Sequence, residues 1–516
     1  MPRSSENATP SLAANILFSS LSWGGPLIFA FIATPYLIRG LGVEVYGYYS
    51  LVLVVIGSGF TMGVGKVSAK YIPEYRANGN STELTRILSA SLTLTFAAAA
   101  IQASILALAS PFIVENILNV PNSAQLELKT AIYLACLIGP VMMVSQLFQF
   151  AAQGLNIFKP ATFIINVSAI ALNAGAVVLA INGSSYTTIL IWNLAVSFLV
   201  MIAFFLYVKP RLPELKLQNR ADGAVFRKVG RFTLSIFIYQ TITSVFAIFE
   251  RAYVIRTFGS EALTYYVVPL LLGAYLHALI VSFSNAITPK INETIDRPDR
   301  LKGFYVLSTK LMLAVSALIA GGYIALGRQF LTLWLGEDFG VRSFSPLVIH
   351  SLAFALIACS INSWILAEAA HRPGMNALTS SLISILGIVG IIVLSFQYGL
   401  AGTASGRLIG AIAVLPLVPY LEKKVFGAPM LSLWAAAFVR LTAAAAVAVT
   451  VTRIVSVYLP MNWLFLALSV AFFVLSFAAV LFVLRFVTKN EFRELETWIE
   501  RGAAVPNQTD NLTIVR

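Results

Sequence analysis

Residues 36–49 read YLIRGLGVEVYGYY, and residues 253–266 read YVIRTFGSEALTYY. A shift of 217 residues aligns Tyr36 with Tyr253, Ile38 with Ile255, Arg39 with Arg256, Gly42 with Gly259, Glu44 with Glu261, Tyr48 with Tyr265 and Tyr49 with Tyr266. Seven identities in fourteen stand against about one expected by chance, so the pair reads as an internal repeat. What kind of chain is repeated follows from composition. Hydrophobic residues make up 58% of the 516 and Asp, Glu, Lys and Arg only 11%. A soluble protein of this length could not cover its surface with so few charges. The chain is an integral membrane protein, and disorder, a coiled coil and a disulfide scaffold are excluded.

A bilayer core of about 30 Å needs roughly 20 apolar residues per helix. Fourteen stretches qualify, near 13–38, 46–65, 86–110, 129–153, 160–182, 187–208, 231–258, 263–288, 304–326, 345–368, 376–397, 400–421, 432–456 and 462–487. The expected class is an all-α polytopic membrane protein. With both termini placed in the cytoplasm, 27 of the 35 Lys and Arg fall on inner segments, 6 at outer ends and 2, Arg251 and Arg407, within spans. That bias fits an even number of spans and explains the net charge of +13 without nucleic acid. The repeated segments both join an odd span to an even one at the outer surface, six spans apart. The two halves then share one orientation, as parallel repeats do, and duplicated bundles facing each other fit an alternating-access transporter. The domain reading is a first six-helix bundle over 1–208, a basic linker over 209–230, a second bundle over 231–421, two further spans over 432–487 and a cytoplasmic tail over 488–516. In the tail, Phe492, Leu495 and Ile499 suggest an interfacial helix.

Charges inside spans are costly and are functional candidates. Asp222, Asp296, Asp299, Asp338 and Asp510 all lie outside the spans. Glu250 and Arg251 lie toward the outer part of span seven, where Gln240, Ser244, Ala247 and Arg251 share one helix face. Glu250 sits about 100° away, free to pair across a helix interface. Arg407 lies beside Gly402, Gly406 and Gly410, a small-residue seam for close helix packing. The first half offers uncharged polar faces: Asn15, Ser19 and Ser22; Gln146, Gln149 and Gln153; Asn166 and Asn173. Amides and hydroxyls suit sugar hydroxyls and also ordinary helix–helix bonding. Arg251 and Arg407, with Gln146, Gln149, Asn166, Asn173 and Gln240, are the candidate substrate-binding residues, and Glu250 is the candidate ion-coupling group. Gly24-Gly25-Pro26 kinks span one. The tyrosines near span ends, Tyr46, Tyr48, Tyr49, Tyr265 and Tyr266, and Trp334 are expected in the interfacial aromatic belt. Cys136 and Cys359 imply no disulfide. His277, His350 and His371 are far apart, no metal-ligand spacing occurs, and no cofactor or catalytic group is expected.

Arg39-Gly40-Leu41-Gly42, then Glu44 and Tyr46-Gly47-Tyr48-Tyr49-Ser50, resembles the first outer loop of polysaccharide flippases, and residues 65–74 fit the same pattern. These are the Wzx-like members of the multidrug/oligosaccharidyl-lipid/polysaccharide exporter superfamily. The resemblance implies a V-shaped fold of two bundles. It implies movement of a polyprenyl-diphosphate-linked oligosaccharide to the outer leaflet of a bacterial inner (plasma) membrane, driven by an H+ or Na+ gradient, with polysaccharide-assembly proteins as partners. Basic cavity residues would face the diphosphate. Two alternatives stand beside it: a multidrug or cation antiporter of the same superfamily, and a membrane polysaccharide polymerase or ligase. The antiporter reading asks for carboxylates in the spans, for which only Glu250 and Glu368 stand out. The enzyme reading asks for convergent ionisable groups, which the outer segment 327–344 does not supply.

Overall fold

In a computed structural model the described residues are 12–57, 64–216, 223–294, 298–370, 372–488 and 491, with the side chains of 12–23 and a few others left aside. Seventeen α-helices occur among them. They are α1 (Leu12–Leu41), α2 (Val43–Gly57), α3 (Val64–Ala77), α4 (Ser81–Phe112), α5 (Asn122–Gly154), α6 (Phe158–Ile181), α7 (Tyr186–Val208), α8 (Gly223–Phe258), α9 (Ser260–Thr294) and α10 (Pro298–Leu335). Then follow α11 (Glu337–Arg342), α12 (Phe344–Ala358), α13 (Ile361–Ala369), α14 (Pro373–Ala411), α15 (Leu417–Phe426), α16 (Leu431–Val457) and α17 (Trp463–Val483). No strand occurs among the described residues. The all-helical result follows from the solvent: in hydrocarbon every backbone N–H and C=O must be satisfied within its own segment.

Eleven helical stretches are long and apolar enough to cross a membrane by length and composition. One of them, Gly24–Leu41, is the part of α1 that qualifies, and another, Gly374–Phe426, runs for 53 residues. That long stretch is a hairpin. Gly399 has φ 55° and ψ −132°, a conformation only glycine adopts at low cost. The chain reverses there, and the glycine seam of the second arm lies on the backbone of the first. A Cβ on Gly406 would come within 2.8 Å of Ile391 Cα, and one on Gly410 within 3.2 Å of Gly387 Cα. The seam expected from Gly402, Gly406 and Gly410 therefore holds the two arms at backbone contact.

Helices α1 and α3 to α7 pack among themselves, as do α8 to α10 and α12 to α14. The last pair, α16 and α17, pack on each other and against α10. A fully buried carboxylate ties α16 to α10: Glu422 of α15 accepts from Trp434 Nε1 at 2.5 Å, from the Met430 amide at 2.7 Å and from Tyr305 Oη at 3.3 Å. Farther along the chain, Glu491 takes Lys310 Nζ at 2.6 Å. The two sets of helices meet where α2 lies against α9, α1 touches α9, and α3 and α4 touch α8.

The aromatic-belt expectation is corrected here. Tyr46, Tyr48, Tyr49, Tyr265 and Tyr266 are all buried. Trp334 is buried too, its ring stacked on Phe31 of α1 at 4.7 Å between centroids. Position near a helix end gave these residues the signature of belt residues, but protein covers them. The expected tail helix through Phe492, Leu495 and Ile499, the side chains of Asn15, Ser19 and Ser22, and His371 lie outside what is described.

Candidate functional site

The charged interior is built where α8, α9 and α14 converge. Glu250 of α8 is fully buried. Its Oε1 accepts from Arg407 Nε at 3.1 Å and from Tyr266 Oη, and its Oε2 accepts from Arg407 Nη2. The pairing is a two-point fork in which the planar guanidinium matches the carboxylate. Arg407 also lies over the rings of Phe246 and Phe354, at 4.9 and 5.4 Å, so its flat faces are covered while its edge is bonded. The hairpin explains how α14 delivers it: Arg407 follows Gly406, whose missing side chain brings the second arm close enough to face α8.

Arg251 is the next residue, about 100° round the same helix. It is 8% exposed, donates Nη1 to the Ala247 carbonyl at 3.0 Å, and its Nε has no protein partner. Tyr46 of α2, across the boundary between the two helix sets, lies within electrostatic reach of Arg251. Glu250, Arg251 and Arg407 thus carry one uncompensated positive charge into a buried setting, and Arg251 is where it resides. The expectation that Glu250 and Arg251 need not pair, and that one could pair across a helix interface, describes this geometry.

Residues outside the sequence-derived set complete the cluster. Tyr266 is fully buried and donates to Glu250. His350 of α12 is fully buried, packs edge-on against Tyr266 at 4.8 Å between centroids, and has no protein partner for either ring nitrogen. His277 of α9 lies 5.8 Å from the Phe354 ring, with Nδ1 likewise lacking a protein partner. The signal for Tyr266 was present in the repeat itself, since its counterpart Tyr49 also meets a polar side chain, Asn193 Nδ2 at 3.5 Å.

The uncharged candidates sit apart from this cluster. Asn166 and Asn173 of α6 donate to their own helix, to the carbonyls of Thr162 at 2.9 Å and Ala169 at 2.8 Å. Asn166 Oδ1 occupies the space that a Cβ on Gly25 would fill, so this amide sits against the kink region of α1. Gln146, Gln149 and Gln153 are half-buried along α5, and Gln240 and Ser244 along α8. Glu368 is exposed. Among the described residues no group of three or more His, Cys, Asp or Glu is arranged to hold a metal ion, and Cys136 and Cys359 are free and buried.

No protein-family model matches the chain. A curated protein of Shigella flexneri named "Putative O-antigen transporter" is 22% identical over 426 residues, which cover 80% of this chain and 98% of that one. Among solved structures, the lipid II flippase MurJ in an inward closed conformation aligns with a TM-score of 0.72 at 14% identity, over 93% of this chain and all of that one. An inward-facing multidrug resistance MATE family transporter of the MOP superfamily aligns with a TM-score of 0.62 at 12% identity, over 82% of this chain and 96% of that one. The resemblance read from residues 39–50 and 65–74 is borne out by these relatives, and the chain has the exporter fold shared by MurJ and the MATE transporters.

Proposed function

We propose that this chain is a flippase that carries a polyprenyl-diphosphate-linked oligosaccharide from the inner to the outer leaflet of a bacterial inner membrane, for export of a surface polysaccharide. Nearly the whole length of the Shigella flexneri O-antigen transporter relative is matched, and the fold is that of the lipid II flippase MurJ. The observation that carries the reading is the surplus positive charge at Arg251, buried beside the boundary between the two helix sets. A buried guanidinium with an unused N–H suits a diphosphate.

In this reading the two arginines have different roles. Arg407 is held by Glu250 and is available to a substrate only after that pair separates. Arg251 supplies the diphosphate contact directly. Gln146, Gln149, Asn166, Asn173 and Gln240 are proposed to meet the sugars, for which their amides both donate and accept. Glu250 is the proposed coupling group: taking up a proton there removes the charge that holds Arg407. The topology we propose has fourteen crossings. It counts α2 with α3, α8, and each arm of the α14 hairpin alongside the remaining long helices, with both termini cytoplasmic as the Lys and Arg distribution favours. The two halves, 1–208 and 231–421, would rock against each other, with 432–487 moving as part of the second half. Ion coupling by H+ or Na+ and contacts of the inner loops with polysaccharide-assembly proteins belong to the same proposal.

A second reading, multidrug export, draws on the MATE neighbours. Against it stands the one buried carboxylate of the cluster, Glu250, which already has an arginine partner and leaves no anionic site for a cationic drug. The test is reconstitution with a fluorescent polyprenyl-diphosphate oligosaccharide. Protein-dependent flipping supports the first reading, and drug–ion exchange without flipping supports the second.

A further inference from the structure

The repeated segment packs against its own copy. With the 217-residue shift, Gly47 corresponds to Thr264 and Val43 to Ser260. Across the α2–α9 boundary, a Cβ on Gly47 would overlap the Ser260 carbonyl oxygen and lie 3.2 Å from Thr264 Oγ1. In the reciprocal contact, Thr264 Oγ1 donates to the Val43 carbonyl at 2.5 Å. Position 47 thus meets 260 and position 264 meets 43, the reciprocal pattern of a two-fold interface made between two halves of one chain. The entrances to both copies match as well. Gly42 and Gly259 have φ 83° and 89°, and each amide bonds back to its own helix, to Ile38 and Ile255, at 2.9 Å. These left-handed glycines end one helix and start the next within a residue, which fixes where the paired segments can lie.

Two further contacts bridge the same end of the molecule. Arg256 Nη1 donates to the carbonyls of Asn116 and Ile117 at 2.7 and 2.6 Å, in the π-helical turn that follows α4. Such carbonyls at a helix end lack partners of their own and are met here by a cation. The second contact is the stack of Phe31 on Trp334.

We infer that the two copies of the repeat form the outer latch of the transporter, closed by the reciprocal Gly47/Ser260 and Val43/Thr264 contact and clamped by Arg256, and that opening to the outside requires the copies to part. The inference takes from the proposed function which side is outer and that the two halves alternate in access, and it does not depend on the substrate. Tyr46, in the same turn of α2 as Gly47, and Thr34 beside it are both buried, and Tyr46 lies within electrostatic reach of Arg251. Parting the copies would expose the site where the diphosphate is proposed to sit. Gly47 is the steric limit: any side chain there pushes the Ser260 backbone away.

The test is cysteine labelling in right-side-out vesicles. Thr34→Cys is introduced with Cys136→Ser and Cys359→Ser, and a membrane-impermeant maleimide is added outside. With Gly47 present, labelling is slow. Gly47→Leu raises the rate at least about tenfold, Gly47→Ala raises it less, and Arg256→Gln, which adds no bulk, also raises it. Gly24→Ala, a helical position where a Cβ meets nothing within 4 Å, leaves the rate unchanged. An unchanged rate in monodisperse Gly47→Ala and Arg256→Gln proteins overturns the latch, even if the leucine variant does not fold. Labelling needs no substrate, so the predicted increase together with absent flipping keeps the latch and removes the flippase reading.

Discussion

Exchanging Glu250 for glutamine removes a charge and almost no volume. The carboxylate is fully buried and bonded by Arg407 at two points, Nε to Oε1 at 3.1 Å and Nη2 to Oε2. At that distance and an effective dielectric of about 20, the attraction is about 5 kcal/mol. Desolvation of both groups offsets much of it, so the pair itself adds little over two neutral groups. Removing one partner is different, because the other stays buried and uncompensated at a cost of about 3–5 kcal/mol. Glu250→Gln and Arg407→Gln should therefore each destabilise the protein by about 3 kcal/mol or more, the first also leaving Arg407 and Arg251 as two positive groups in one buried cluster. The double variant should return to within about 1 kcal/mol of the parent. Equilibrium unfolding in mixed micelles, followed by tryptophan fluorescence, measures all three. A double variant at least as unstable as the sum of the singles would refute the reasoning. Flipping retained by the double variant would make Arg407 a structural partner of Glu250 and would remove Glu250 as the coupling group.

Other outcomes follow from single positions. Gly399→Ala places a Cβ at φ 55° and ψ −132° and should cost about 1–3 kcal/mol in the same unfolding measurement, whereas Gly374→Ala, where a Cβ meets nothing within 4 Å, should change little. Glu422→Leu leaves Trp434 Nε1, the Met430 amide and Tyr305 Oη without their shared acceptor, and should loosen α16 and α17, read as faster hydrogen exchange there than in α12. Glu491 titrates below the usual glutamate range: burial pushes it up, but the Lys310 hydrogen bond and the Thr488 amide together outweigh that. A depressed carboxyl contributes its stabilisation above the unfolded value and loses it as pH falls through the folded value. Acidification below about pH 4.5 should thus release this contact, seen as faster exchange at residues 484–488, and Glu491→Gln should abolish the pH dependence.

The sequence made the membrane class, the repeat, the glycine seam and the individual charged residues readable, because each leaves a local mark. Gly42 and Gly259 show this best: one alignment at a shift of 217 marks both, and both adopt the left-handed turn that only the motif's glycine makes easy. The partnership of Glu250 with Arg407 left no such mark. The two residues are 157 apart, and their meeting depends on a reversal at Gly399 and on the depth to which Gly406 lets one arm approach. Glu422 stands at the edge of an apolar stretch beside Lys423 and Lys424, and no motif marks it. Its burial arises from α10 and α16 folding over it, which periodicity does not encode. The tyrosines of the repeat were misplaced for a related reason. Residues near helix ends meet headgroups only if nothing covers them, and here the opposite copy of the repeat and its neighbours do.

The central claim is tested most directly by proteoliposomes carrying a fluorescent polyprenyl-diphosphate oligosaccharide, probed with an impermeant quencher and comparing the parent protein with Arg251→Ala. Protein-dependent flipping that is lost in a folded Arg251→Ala variant is the predicted result. Equal flipping by the variant would remove Arg251 from the substrate path. No flipping by the folded parent, with or without an ion gradient and across several sugar chains, would contradict the account.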